Sequence, residues 1–248
     1  MHNSVSEQRA ERALNKEPFV KDRDPLIVLL ATLTGVTDAI GFVLLGHIFT
    51  SVMTGNMVLL GVAAGKGDVS LALHTGIAFL GFVVGSLGGA RVAGHAHKDD
   101  ELWPRPILMA LGLELVVLFV FAAWREIASA APTGTAEYAM LGINAVALGV
   151  QSAATLRFGI SGLSTTYLTG TLTQLLAGVA KRKEPVSGRS ALLLLALSGG
   201  AAIGAFLAVD APRFAPLLPV GVLAFVIACG ETVFHRRAKR GQLAHTTR

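Results

Sequence analysis

The chain has 248 residues, 52% hydrophobic and only 15% charged, with a mean hydropathy of +0.61. Soluble domains carry about 25% charged residues; here the missing charges leave several uncharged runs long enough to cross a hydrocarbon core of ~30 Å. The net charge of +5 comes from basic residues beside those runs, and Cys229 is the single cysteine, so the composition argues against nucleic acid as a partner and excludes an intrachain disulfide or a cysteine-cluster metal site.

The expected fold class is an all-α polytopic membrane protein. A transmembrane β-barrel is excluded because the runs are continuously apolar and do not alternate over about ten residues. Residues 1–25 read as a polar cytoplasmic tail. The first apolar run, Leu26 to Phe49, is too long for a signal-peptide core and lacks a small-x-small cleavage site, so it is expected to stay as a span. Apolar segments follow at 26–46, 48–65, 73–93, 106–124, 138–156, 161–180, 190–209 and 214–234. They divide into a first membrane repeat over 26–127, a linker over 128–137 around Pro132 and Gly134, and a second repeat over 138–234. A basic cytoplasmic tail, 235–248, closes the chain.

Eight crossings would leave Arg91, Lys98, Arg105, Arg157 and Arg213 outside, five of the 21 basic residues. If 48–65 and 161–180 are short broken or re-entrant segments, six crossings remain, and only Lys66, Arg125 and Arg213 lie outside. Six fits the positive-inside rule better, with both termini cytoplasmic; eight, as 4+4, is the alternative.

The halves repeat internally. Thr54-Gly55-Asn56 aligns with Thr169-Gly170-Thr171, and Gly35-Val36-Thr37-Asp38 with Leu148-Gly149-Val150-Gln151, two residues off register. Gly85 and Gly89 fall opposite Gly200 and Gly204 at an offset of 115. Three crossings per half would make the copies inverted, and four would make them parallel. Transporter folds use both arrangements, with sites near the midplane where interrupted helices meet.

Asp38 is the sharpest candidate. It lies 12 residues into the first span, roughly 18 Å along a helix, where a charge costs ~3 kcal/mol or more unless paired or wet. One reading makes it a proton or cation site; the other makes it a structural carboxylate bonded to hydroxyls such as Thr34 and Thr37. Thr54, Gly55 and Asn56, with Thr166, Thr169 and Gly170 in the second half, offer hydroxyls, an amide and free N–H groups at a helix start. These suit anion or carbonyl contacts, and equally an ordinary N-cap. Gln151 is the neutral counterpart of Asp38. Glu114 sits mid-span with functional and structural readings evenly balanced. His47, His74, His95 and His97 match no metal signature. Gly81, Gly85 and Gly89, with Gly200 and Gly204, form close-packing faces that join either the halves or two protomers of a homo-oligomer. Arg157 reads as a snorkelling side chain. No P-loop, HExxH, GxSxG or dinucleotide fingerprint is present, so no enzyme activity, catalytic residue, cofactor or metal is expected.

The run at Gly35 to Phe42 (GVTDAIGF), the run at Phe49 to Met57 (FTSVMTGNM), and the later QSAA and TTYLTGTLT together resemble the YoaK-like family of bacterial inner-membrane proteins, a domain of unknown function. The resemblance extends from Leu26 to about Phe234. It implies a bacterial multi-pass membrane protein and supplies no substrate. Asp38, Thr54, Gly55, Asn56, Gln151, Thr166, Thr169 and Gly170 match its recurrent pattern. The resulting expectation is a secondary transporter or permease of a small solute or ion, with proton coupling through Asp38. The alternative is a non-transporting scaffold, sensor or assembly partner.

Overall fold

A computed structural model describes residues 23–95, 103–127, 132–157, 170–173, 175–177 and 188–246, with side chains described as far as Thr232. All regular structure among them is helical: α1 (Asp24–Leu44), α2 (Met53–Lys66), α3 (Val69–Ala93), α4 (Arg105–Ile127), α5 (Thr135–Leu156), α6 (Gly188–Asp210) and α7 (Leu217–Thr246). Residues 170–173 and 175–177 are also helical. Five helices, α1, α3, α4, α5 and α6, are long and apolar enough to cross a membrane; the apolar part of α7, Leu217–Thr232, is shorter.

The ends of the helices follow local chemistry. Pro25 occupies the first turn of α1, where its missing N–H costs nothing. Between α2 and α3 the turn takes only two residues. Gly67 closes α2 in the left-handed conformation, φ 67°, which glycine adopts freely. Asp68 then caps α3 by accepting from the Leu71 N–H at 3.0 Å.

Contacts between the helices fix their directions. Gly85 and Gly89 of α3 lie against Val146 and Val150 of α5, rising together, so these helices run parallel. Gly200 and Gly204 of α6 lie in the same way against Thr32 and Val36 of α1. Asn144 and Gln151 of α5 reach the carbonyls of Thr37 and Leu30, in falling order, so α1 and α5 are antiparallel. The two repeats are therefore inverted, as the six-crossing reading expects.

They are also interlocked. The two most extensive helix pairings are α3 with α5 and α1 with α6, each joining one half to the other. Equivalent glycines make equivalent contacts. A side chain at Gly35 would strike the backbone of Leu197 and Ala201, and one at Gly149 the backbone of Phe82 and Ser86. The homo-oligomer expected through the glycine faces thus loses those faces, because Gly81, Gly85, Gly89, Gly200 and Gly204 are filled within the chain. Small residues let backbones approach closely where lipid supplies no hydrophobic driving force between helices.

α2 is re-entrant. His74, early in α3, packs against Gly46, just past the end of α1, so α3 starts where α1 finishes. Between them the chain turns back, and Thr50 and Ser51 reach Asp38, six residues inside the end of α1. α2 then returns to the same end over 14 residues, ~21 Å. Ion pairs close both ends of the bundle. At the first end Arg189 of α6 meets Asp24 of α1 at 3.2 Å. At the second, Arg213 meets Glu126 at 2.7 Å, and that hydrogen bond and charge hold the exposed guanidinium's proton more firmly than usual. Four boundaries differ from expectation: α2 begins at Met53, five residues late; α3 begins at Val69, one turn early; α5 begins at Thr135, inside the expected linker; and α7 runs on to Thr246, through most of the expected basic tail.

Candidate functional site

Breaking a helix inside a membrane frees backbone groups that lipid cannot satisfy. The break in the first half spans residues 45–52, with Gly46 and His47 both at positive φ, 74° and 58°. Asp38 repairs it. Its Oδ1 accepts from the Thr50 N–H (2.8 Å), the Thr50 hydroxyl (3.0 Å) and the Ser51 N–H (2.8 Å). Its Oδ2 accepts from the Ser51 hydroxyl. Asn56, one turn into α2, donates to the Phe49 carbonyl at 2.6 Å. Asp38, Thr50, Ser51 and Asn56 are all buried. Together they form a polar clasp that pins the re-entrant tip to α1.

This corrects three expectations. The hydroxyls bonded to Asp38 belong to Thr50 and Ser51, whereas Thr34 donates to its own helix at Leu30 and Thr37 Oγ1 has no partner. The reason is reach: Thr34 and Thr37 share a helix with Asp38, while the returning tip brings donors directly onto it. The N-cap of α2 is Val52, and neither Thr54 nor Asn56 fills that role. Thr54 faces outward and Gly55 meets only Val52, so the Thr-Gly-Asn motif contributes Asn56 alone to the buried centre. In the second half, Gly170 is exposed within a helical stretch, and Thr166 and Thr169 lie outside the described residues.

Gln151 is placed elsewhere. Its Nε2 donates to the Leu30 carbonyl (2.9 Å) and the Thr34 hydroxyl (3.0 Å), eight residues along α1 from Asp38, or ~12 Å. The matched glycine contacts set the repeat offset at 114 in α1 and α5, from Gly35 to Gly149. Asp38 therefore corresponds to Ser152, and Gln151 corresponds to Thr37. The sequence alignment had slipped by one residue.

α1 and α5, the two most deeply buried of the five long helices, face each other across the inversion axis. Asn144 sits at one level of this seam and Gln151 two turns away. Both are buried, at 0% and 3% exposure, and both give their NH₂ groups to carbonyls of α1. That turns their carbonyl oxygens away. Asn144 Oδ1, Gln151 Oε1 and Thr37 Oγ1 are left without partners. Buried acceptors of this kind are costly to leave unmet, and each could receive a hydrogen-bond donor or a cation. Among the described residues no three His, Cys, Asp or Glu side chains come together as a metal cluster.

A family profile described as a protein of unknown function, DUF1275, matches residues 26–229, from α1 into α7. The chain belongs to this family. It is 37% identical over 167 residues to the UPF0700 transmembrane protein YoaK of Bacillus subtilis (strain 168), covering 67% of this chain and 68% of that protein. No solved structure matches. With five spanning-length helices and a transmembrane relative, the protein is a multi-pass membrane protein of the YoaK-like kind.

The DUF1275 match includes three residues that sequence reasoning passed over: Thr50, Ser51 and Asn144. For the first two a signal existed, since Thr165 and Thr166 repeat the hydroxyl pair at the 115-residue offset. Asn144 had none: it maps onto Leu30 under the helix register and becomes visible only when α5 is laid against α1.

Proposed function

We propose that the protein is a secondary transporter or permease of a small solute, with its path along the seam between α1 and α5. One observation carries this reading. At the inversion axis the two central helices meet through buried side chains whose acceptor oxygens, on Thr37, Asn144 and Gln151, have no partner. Inverted-repeat transporters hold their substrates at this location, near the midplane between the halves. A purely structural seam would be better filled with apolar side chains, because unmet buried acceptors cost stability and return nothing.

In this reading the clasp is a gate element. A proton arriving at Asp38 would replace an acceptor with a donor and loosen Thr50 and Ser51, which is how Asp38 would couple solute movement to protons. The bacterial inner membrane is the proposed location. Both chain ends are assigned to the cytoplasm, because that orientation leaves the fewest Lys and Arg residues outside. The reading assigns no enzymatic step.

The test is thermal stability of the purified protein against a panel of small metabolites and ions, with Gln151→Leu beside it. A ligand at a hundred times its Kd stabilises by about 2.7 kcal/mol. A hit that Gln151→Leu abolishes, followed by flux into proteoliposomes, would support the path. Co-purification of a stable protein partner from native membrane, with no flux of any stabilising ligand, would replace transport with a scaffold or sensor role.

A further inference from the structure

Glu114 is the one carboxyl among the described residues that is fully buried with neither oxygen partnered. It lies nine residues into α4, ~14 Å along the helix, near the middle of a span. Ala110, Leu111 and Leu118 on the same face belong to an apolar cluster with Leu30, Ala147, Val150 and Leu223.

The contrast with Asp38 is informative. Where this fold accommodates a carboxylate it supplies four donors; to Glu114 it supplies none. α4 packs against α5, α7 and α3, whose titratable groups with described side chains make no hydrogen bond to Glu114. They are Glu137, Tyr138 and Arg157 on or beside α5, Cys229 and Glu231 on α7, and His74 and Arg91 on α3. On α4 itself Arg105, Arg125 and Glu126 are terminal. Among the described residues no cation is partnered with Glu114. A bare carboxylate there would carry a desolvation cost with nothing set against it, and an apolar residue would pack better. The ligand that neutralises a carboxylate without needing room is a proton.

We propose that Glu114 is a proton-binding site, a carboxylic acid in the conformation described here. It gives up its proton when α4 and α5 part enough for water to reach it. The step is the addition of H⁺ to one carboxylate oxygen and its return to solvent, with no other bond changed. A role for this proton in driving solute movement rests on the transport reading above; proton binding itself does not.

Infrared spectroscopy of the full chain in lipid, with and without ¹³C-glutamate, tests the site directly. The expected result is a protonated-carboxyl C=O band at neutral pH that shifts with the label. It should be lost in Glu114→Gln, kept in Asp38→Asn, and reversibly diminished as pH rises. If Glu114→Gln does not fold, the labelled native protein still decides, because water-exposed glutamates are ionised at neutral pH. Absence of a label-sensitive band would overturn the proposal. So would a band that stays constant across the whole stable pH range, which would mark a permanently neutral acid. An intact titrating band together with pH-dependent flux unchanged in Glu114→Gln would refute coupling alone.

Discussion

Removing the Asp38 carboxylate should free the re-entrant tip, and the geometry sets the size of the effect. Asp38→Ala strips partners from two backbone N–H groups and two hydroxyls at once. The hydroxyls can rotate to other acceptors, but the amides of Thr50 and Ser51 cannot. Each orphaned buried donor costs about 1–3 kcal/mol, so the tip should loosen by about 3–5 kcal/mol with the lost charge included. Asp38→Asn is much milder. Its carbonyl can take the place of Oδ1 and keep three donors, while its NH₂ faces the Ser51 hydroxyl, which can turn to accept. That variant should lose about 1 kcal/mol, the margin between charged and neutral acceptors. Hydrogen–deuterium exchange of the peptide spanning 45–57 reads both. With 1.36 kcal/mol per factor of ten, Asp38→Ala should speed local exchange by about a hundredfold or more and Asp38→Asn by less than about tenfold. Equal effects of the two variants, or unchanged exchange in Asp38→Ala, would refute the clasp.

Three further outcomes follow from the packing. Gly85→Ala and Gly200→Ala each push a methyl into a carbonyl of the partner helix, so both should lower thermal stability by about 1–3 kcal/mol. Gly61→Ala on α2, with open space around it, should be neutral or stabilising by up to about 1 kcal/mol; similar losses at all three positions would contradict the interlocked halves. Gln151→Leu, which exchanges seam hydrogen bonds for apolar packing, should change melting by less than about 1.5 kcal/mol and abolish solute-dependent stabilisation; a retained ligand shift would move the path away from the seam. Single cysteines in a Cys229→Ser background should label from one side at Gly67, Thr133 and Pro212, and from the other at His95 and Gly188. Labelling of Gly188 from the Gly67 side, with Pro212 from the His95 side, would restore eight crossings.

Class, repeat and the placement of carboxylates were legible from the chain alone, because hydrocarbon permits few solutions. An uncharged run of spanning length must be a helix, and a charge within it stands out whatever its neighbours are. The first short segment could also be seen, through Lys66, Arg125 and Arg213 as the residues left outside by six crossings; the second, 161–180, lies largely outside the described residues. What each polar residue bonds to was decided only by the tertiary fold. The partners of Asp38 arrive from 12 and 13 residues away through a turn at Gly46 and His47, and helical periodicity pointed instead to Thr34 and Thr37. The repeat offset differs by one residue between α1/α5 and α3/α6, because chain length between contacts is free while the backbone approaches at glycine are not. Asn144 and Gln151 acquire their unmet oxygens from the antiparallel meeting of α1 and α5, more than a hundred residues apart in sequence. Local sequence determines which segments enter the bilayer; only the packing of one inverted half into the other determines which polar groups are satisfied and which are left open.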